Sequence, residues 1–485
     1  MELGEIMCLI AGGIGDVRER LIRMALTGKH RGPDSFGVWT DEGTLKSDDF
    51  SKLREIPKGR IGLLQCRLAM TGSKKFTQPF VNELALVHNG EIYNHVQIRD
   101  HLEEKGVSFE SDVDSEVILR LIEFLRGKGV SIPTAIKEAM RWLEGDYAVA
   151  FSDGEEIYLF RDPIGVRPLY YSPTGFFASE KKVLWVIGEK AIPLEPGSLV
   201  TISKKGVESR KLFSVRELRR REFSEDTALK SLIKTLPYSV MNRCNRKTGV
   251  LFSGGLDSSL IAYLASEYSD VVLYTAGTEG SPDLEWARKA SDILGLELRE
   301  YVFTEEDVEE ALGEIMFAIE EPDAMNLAIG TPLYFATKLA GEEGTRVLLS
   351  GQGADELFGG YAKYLERPEL MESDLEGLAE RNLARDDKIA MLNGVEGRFP
   401  YLALPVVTAA LNTPLDLKIR DNLRKFILRK AAEKLGLPKD IAEREKKAAQ
   451  YGSGAQKILR RIGKKRRLSL KELAESLFRE VFYSS

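Results

Sequence analysis

The back half of this chain alternates short unbroken apolar runs with segments whose apolar residues recur every three or four positions. Val250-Leu251-Phe252 is one such run; it passes through Ser253-Gly254-Gly255 and Asp257-Ser258-Ser259, after which Leu260, Ile261 and Leu264 have helical spacing. That pattern predicts strand, turn, helix. The β-branched run from Val271 to Gly277 predicts a second strand, suited to a parallel sheet buried on both faces, and Gly280-Ser281-Pro282-Asp283 punctuates it before a helix through Leu294. Val347-Leu348-Leu349 is a third run and ends in Ser350-Gly351. Strands and helices alternating in this order imply a parallel sheet with ligands at the carboxyl ends of its strands.

The front half is patterned differently. Met7-Cys8-Leu9-Ile10-Ala11-Gly12-Gly13 starts a short apolar strand, and an alternating, β-rich pattern continues through Phe176 to Glu180 and Gly197 to Ile202. From Ser214 to Glu222 the chain is charged with few apolar anchors, and Ala228 to Met241 then has helical spacing. A length of 485 residues exceeds what one core serves. We therefore expect two domains, residues 8–214 and 215–485.

Composition narrows the function classes. With 43% hydrophobic and 30% charged residues the chain reads as globular, and a net charge of −6 gives no basic field for nucleic acid. Arg219-Arg220-Arg221 and Lys464-Lys465-Arg466-Arg467 read as solvated faces. No apolar run reaches the roughly 18 residues of a membrane span and no signal peptide opens the sequence, so we expect a cytoplasmic protein without a membrane partner. Cys8, Cys66 and Cys244 lack metal-ligand spacing, and their odd number argues against a disulfide framework.

The stretch Ser253-Gly254-Gly255-Leu256-Asp257-Ser258-Ser259 carries the first chemistry. Glycines let backbone N–H groups close around an anion at a helix N-terminus, so the turn is a candidate phosphate cradle. Ser-Gly-Gly alone is as compatible with an ordinary turn, and no Gly-Lys-Ser/Thr ending makes it a Walker-type loop. The whole string resembles the SGG-x-DS loop of the enzymes that cleave ATP between the α and β phosphates and adenylate a substrate. In the front half, Cys8 alone reads as a buried small hydrophobe. Together with His30-Arg31-Gly32-Pro33-Asp34, Cys66-Arg67-Leu68-Ala69, Val87 to Asn94, Ser111 to Glu116 and Arg161 to Tyr170, it resembles the glutaminase domain of the N-terminal-nucleophile (Ntn) amidotransferases over roughly residues 8 to 200. A thiol of pKa about 8.5 needs a proton acceptor at neutral pH, and a free α-amine of pKa about 7.7 to 8 on the same residue supplies one.

Adding Ser350-Gly351-Gln352-Gly353-Ala354-Asp355-Glu356 extends the likeness to about residues 8–460, where the chain resembles the glutamine-dependent asparagine synthetases. That resemblance implies an Ntn-hydrolase-type αββα sandwich in front. Behind it implies a doubly wound parallel-sheet ATP pyrophosphatase domain with a helical extension. It implies ATP with Mg²⁺, glutamine as nitrogen donor, aspartate as acceptor and ammonia passing internally; the family is often dimeric, so a homodimer is among its implications. By motif position, Cys8 would be nucleophile, Asn89 and Gly90 the oxyanion hole, and Arg67, Asn89, Glu91 and Asp114 the glutamine contacts. Leu251, Ser253, Ala276, Ser350 and Gly351 would border AMP; Ser253, Gly254, Gly255, Asp257, Ser258 and Ser259 would surround pyrophosphate; Asp257 and Asp355 would share Mg²⁺. Lys446, with Lys447 as the alternative, would be the catalytic lysine of the Arg444-Glu445-Lys446-Lys447 segment, which also reads as a solvated basic turn.

Three departures modify these expectations. Met1 to Met7 precede Cys8, so a free amine on Cys8 requires a chain that starts there, through initiation at Met7 or loss of a leader. Gln352 stands where the family generally has Glu, and Pro400-Tyr401-Leu402-Ala403 replaces Pro-Phe-Leu-Asp. Gln cannot take a proton, so any base role there is lost. Asp323 to Leu327, where acceptor contacts belong, matches poorly. Two rivals stay open: the same machinery on another carboxylate, and a catalytically idle homologue.

Overall fold

A computed structural model describes residues 6–68, 77–443 and 452–483. The chain divides into two compact units, one up to Glu217 and one from Leu218 onward.

The front unit stacks two antiparallel sheets, of seven and six strands among the described residues. Strand periodicity assigns each face. Along Ile6–Ile14, Leu9 and Ala11 pack with the helices Arg18–Gly28 and Lys181–Trp185, whereas Ile10 joins Leu63, Val87, Ala148, Phe177 and Val200 between the sheets. Leu86, Tyr147 and Phe160 face the other way, onto the helices His95–Glu103, Asp114–Gly127 and Ile132–Trp142. The layers are helix, sheet, sheet, helix, the sandwich the resemblance implied. Cys8 shares the parity of Ile10 and so faces the space between the sheets, while Cys66 shares that of Leu64 and belongs to the outer core. Burial pushes the Cys66 thiol up, so it stays protonated and inert.

The back unit is built on a five-stranded parallel sheet in the order Glu297–Val302, Asp270–Gly277, Lys247–Leu251, Val347–Leu349, Glu396–Arg398. Its first strand in sequence lies in the middle, with later strands added on both sides, which makes its carboxyl end the switch point where such sheets bind ligands. Phe252, read from sequence as strand, lies just past Leu251, though its N–H still donates to the Tyr274 carbonyl at 2.8 Å. The helix expected over 228–241 runs from Glu225 to Arg243, capped by Ser224 on the Thr227 N–H. Helices Glu305–Ile319, Ala324–Glu342, Ala384–Leu392, Ala455–Lys465 and Leu470–Tyr483 supply one shared apolar cluster that includes Leu312, Leu327, Ile389, Leu459 and Leu473. This is the helical extension. Among the described residues, no helix is long and apolar enough to cross a membrane.

Candidate active sites

In the front unit the sandwich brings five polar side chains onto the facing surfaces of its two sheets. Cys8 lies opposite Arg67 in antiparallel register, and residues directly opposite carry their side chains on one face. Gln65 has the same parity as Arg67; its Nε2 donates to Cys8 Sγ at 3.1 Å, and its Oε1 accepts the Gln78 N–H at 3.1 Å. On the facing sheet, Asn89 and Glu91 share the inward parity of Val87. Asn89 Oδ1 accepts the Cys8 backbone N–H at 3.0 Å, which leaves Nδ2 buried with no partner among the described residues. The amide is thus fixed on one side by the Cys8 backbone, with its N–H₂ left over on the other.

Gly90 has φ 140°, and a Cβ there would lie 2.0 Å from the Asp146 carbonyl oxygen, so only glycine fits. Asp114 opens the helix Asp114–Gly127 and accepts the Ile92 N–H at 2.8 Å, which ties the helix N-terminus to the end of the Asn89 strand. Behind it, Ser115 Oγ accepts from Gln78 Nε2 at 2.9 Å and lies 2.9 Å from His88 Nδ1. Burial, and then the Arg167 guanidinium, push His88 down to about 3, so this histidine is neutral. Sequence motifs missed Gln65 and Gln78. Glutamines in strands and loops carry no local signature, and these two acquire meaning only through partners elsewhere in the fold.

In the back unit the expected loop sits at the switch point. Gly254 adopts φ 66°, and a Cβ would meet Trp286 Cδ1 at 2.7 Å; Trp286 Nε1 donates to the Gly254 carbonyl at 2.7 Å and holds the turn. The helix Leu256–Ala265 follows Gly255, which gives no side-chain cap, so its first N–H groups have no capping side chain. Ser258 Oγ accepts the Ser253 N–H at 3.3 Å, and Ser259 Oγ is fully buried with no partner among the described residues. Leu251, Ala276, Ser350 and Gly351 all lie at carboxyl ends of neighbouring strands. Tyr401 donates to the Asp257 carbonyl at 3.2 Å; burial first and Asp257 second hold its hydroxyl well above the ordinary range, so it remains a donor.

Asp257 and Asp355 converge on one cation. Lys425 Nζ lies 2.6 Å from both oxygens of Asp257 and 2.7 Å from Asp355 Oδ1, and all three residues are buried. Lys425 holds a left-handed backbone, φ 58° and ψ 32°, at the start of the helix Phe426–Lys434. Such a conformation costs a non-glycine residue about 1 kcal/mol or more and persists where the surroundings impose it. Gly360 makes the space: a Cβ there would lie 1.8 Å from Asp355 Oδ1 and 2.2 Å from Lys425 Cε. No motif around Lys425 announced it. Among the described residues, no group of three or more His, Cys, Asp or Glu could hold a metal, so an ion at Asp257 and Asp355 would complete its shell with other oxygens. Two carboxylates supplemented by phosphate oxygens and water is how Mg²⁺ is usually bound, so this donor set fits it. Lys446 and Lys447 lie outside the described residues.

Comparison with known proteins agrees with both halves. The family profile described as asparagine synthase matches residues 233–370 and 364–482, and that described as glutamine amidotransferase domain matches residues 7–220. A Methanocaldococcus jannaschii protein carrying the name "putative asparagine synthetase (glutamine-hydrolyzing) 1" is 36% identical, with 93% of each chain covered. The chain belongs to the asparagine synthase family. Within it, "asparagine synthetase (glutamine-hydrolyzing) 2" of Oryza sativa is 29% identical over 91% of this chain and 76% of its own. The conjunction of an amidotransferase unit and an asparagine synthase unit in one polypeptide is thus a property of this chain and not a fusion inferred from motifs.

Two outcomes follow from this geometry. Gly360→Ala should fold, because the atoms it displaces are the ends of flexible side chains, but should slow ATP-dependent pyrophosphate release about tenfold or more by moving Asp355 and Lys425; turnover within twofold of wild type would refute it. Folding keeps His88 neutral where the unfolded chain takes up a proton, so its contribution to stability is present above about pH 6.5 and is lost as pH falls toward about 3. Denaturant titrations of the full chain between pH 6.5 and 4 should show wild type losing stability faster than His88→Gln, by up to about 1.4 kcal/mol per pH unit, and equal slopes would contradict the assignment.

Proposed function

We propose that this chain makes asparagine from aspartate, using ATP and ammonia released from glutamine, through an aspartyl-AMP intermediate. The observation that carries the reading is that its match to a chain named for this activity spans 93% of both proteins, so the two halves occur together. In the front unit, Cys8 Sγ attacks the glutamine side-chain carbonyl, and the buried spare N–H of Asn89 with the Gly90 backbone N–H receives the developing oxyanion. Ammonia leaves, and water then hydrolyses the thioester. Arg67 pairs with the substrate α-carboxylate through its forked guanidinium, and Glu91 and Asp114 accept from the α-ammonium. In a chain that begins at Cys8, its own α-amine takes the thiol proton; its hydrogen-bond partner is already at hand in Asn89 Oδ1.

In the back unit, the loop Ser253–Ser259 cradles the β and γ phosphates while Leu251, Ala276, Ser350 and Gly351 border the AMP portion. Asp257 and Asp355 would hold Mg²⁺, which when bound supplies positive charge to the phosphate oxygens. Lys446, or Lys447, adds a point charge for the developing phosphate anion. Replacement of the expected Glu by Gln352 and the expected Asp by Ala403 favours a second reading in which another carboxylic acid is the acceptor.

Pyrophosphate release from ATP, screened over candidate acids, tests the reading: stimulation by aspartate supports it, stimulation by another acid alone supports the second, and none with any acid leaves an idle homologue. Cys8→Ala should abolish glutamine-dependent synthesis and leave ammonia-dependent synthesis within about twofold. A chain processed to start at Cys8 should hydrolyse glutamine while one retaining Met1 should not. Mass spectrometry of the N-terminus beside a glutaminase assay checks this, and an active chain with Met1 in place would overturn the amine's role.

A further inference from the structure

Gln352 departs from family expectation, and its side chain is oriented by a hydrogen bond to a buried carboxylate. Gln352 follows Gly351 at the carboxyl end of the strand Val347–Leu349 and is only half buried, so one side of it faces open space. Its Nε2 donates to Asp386 Oδ2 at 2.7 Å. The other oxygen of Asp386, Oδ1, is taken by Arg385, 2.8 Å from Nε and 2.7 Å from Nη2. Arg385 Nη1 in turn donates to Asn326 Oδ1 at 3.1 Å, and Asn326 Nδ2 donates to Glu321 Oε2 at 3.2 Å. This chain of bonds runs from the nucleotide strand to the stretch Asp323 to Leu327, which matched the family poorly as sequence.

The chain fixes which end of the Gln352 amide points where. An amide's oxygen and nitrogen are assigned by their partners, and a carboxylate accepts but does not donate. Turning the amide over would set Oε1 against Asp386 Oδ2, two acceptors with no proton between them, at a cost of more than a lost hydrogen bond. Asp386 cannot rotate away, because Arg385 holds its second oxygen, and Arg385 and Asp386 are both buried. Gln352 Oε1 is therefore the atom presented to the site.

We propose that Asp386 is a positioning residue that aims Gln352 Oε1 at the nitrogen attacking the activated carboxyl, so that Gln352 orients ammonia where the family's Glu carries a charge. This rests on the asparagine-forming reading above. Ammonia offers three N–H donors, and an acceptor-only oxygen at fixed position leaves its lone pair pointing away from that oxygen, toward the acyl carbon. As the C–N bond forms, the bond from the acyl carbon to the bridging oxygen breaks and its electron pair leaves on AMP. Nitrogen becomes cationic on the way, which strengthens its hydrogen bond to Oε1. The amide oxygen takes no proton; the one that nitrogen sheds passes to solvent.

Two assays on the full chain separate this from its premise: aspartate-dependent ATP–pyrophosphate exchange without ammonia, which reads adenylation, and kcat/KM for ammonia, which reads the attack. Gln352→Met should leave exchange within about twofold and lower kcat/KM for ammonia at least about tenfold. Gln352→Glu sets two carboxylates against each other, which then share one proton, so its ammonia kcat/KM relative to wild type should fall as pH rises through the pair's raised pKa. Gln352→Glu combined with Asp386→Asn exchanges amide and carboxylate, keeps one N–H between them, and should remove that pH dependence; a role limited to folding would not produce such a rescue. Unchanged ammonia kinetics in Gln352→Met, or exchange falling in parallel with them, would overturn the proposal. Absence of exchange with aspartate in wild type would overturn the asparagine-forming reading itself, and this inference with it.

Discussion

Two carboxyl groups, Asp257 and Asp355, are buried together at the switch point of a parallel sheet, and the side-chain nitrogen of Lys425 lies between them. The constraint reaches far into the back unit. It requires Asp257 in the first turn of the loop helix and Asp355 just past the neighbouring strand. It also requires a left-handed Lys425 ahead of a third helix and a glycine at 360 to leave room for the pair. A divalent cation held by the same two carboxylates would have to take over the place that the Lys425 ammonium fills.

The front unit meets a different constraint, that a thiol in a strand must face a place where a carbonyl can be held. Antiparallel pairing sets Cys8 beside Arg67 and Gln65, and the sandwich sets it against Asn89. Asn89 spends its oxygen on the Cys8 backbone, and its N–H₂ has no partner among the described residues. The same division appears behind, where Gln352 spends its N–H₂ on Asp386 and keeps its oxygen. In each site a neutral amide is made directional by a partner that can bond to only one end of it, and the remaining end is left oriented by that bond.

The cysteines show how the same residue type is assigned to opposite tasks. Cys8 and Cys66 are both buried on adjacent strands, yet parity puts one between the sheets and the other in the outer core with Leu64 and Met24.

Much of this was legible in the chain. The unbroken run Val271 to Gly277, the Ser-Gly-Gly turn and the alternation around Cys8 specify strand, turn and strand from local pattern, because apolar periodicity and glycine's backbone freedom act over a few residues. The motif residues Asn89, Asp114, Asp257 and Asp355 stand out for the same reason: each lies in a short string whose chemistry is readable in place. What the tertiary structure alone decided are the partners: Lys425 for the two aspartates, Gln65 for Cys8, and Asp386 with Arg385 for Gln352. Lys425 is 168 residues from Asp257, and Gln352 is 34 from Asp386. A hydrogen bond or ion pair across such separations leaves no periodicity in the sequence, since its two halves are brought together only when sheet order and helix packing bring their backbones within reach.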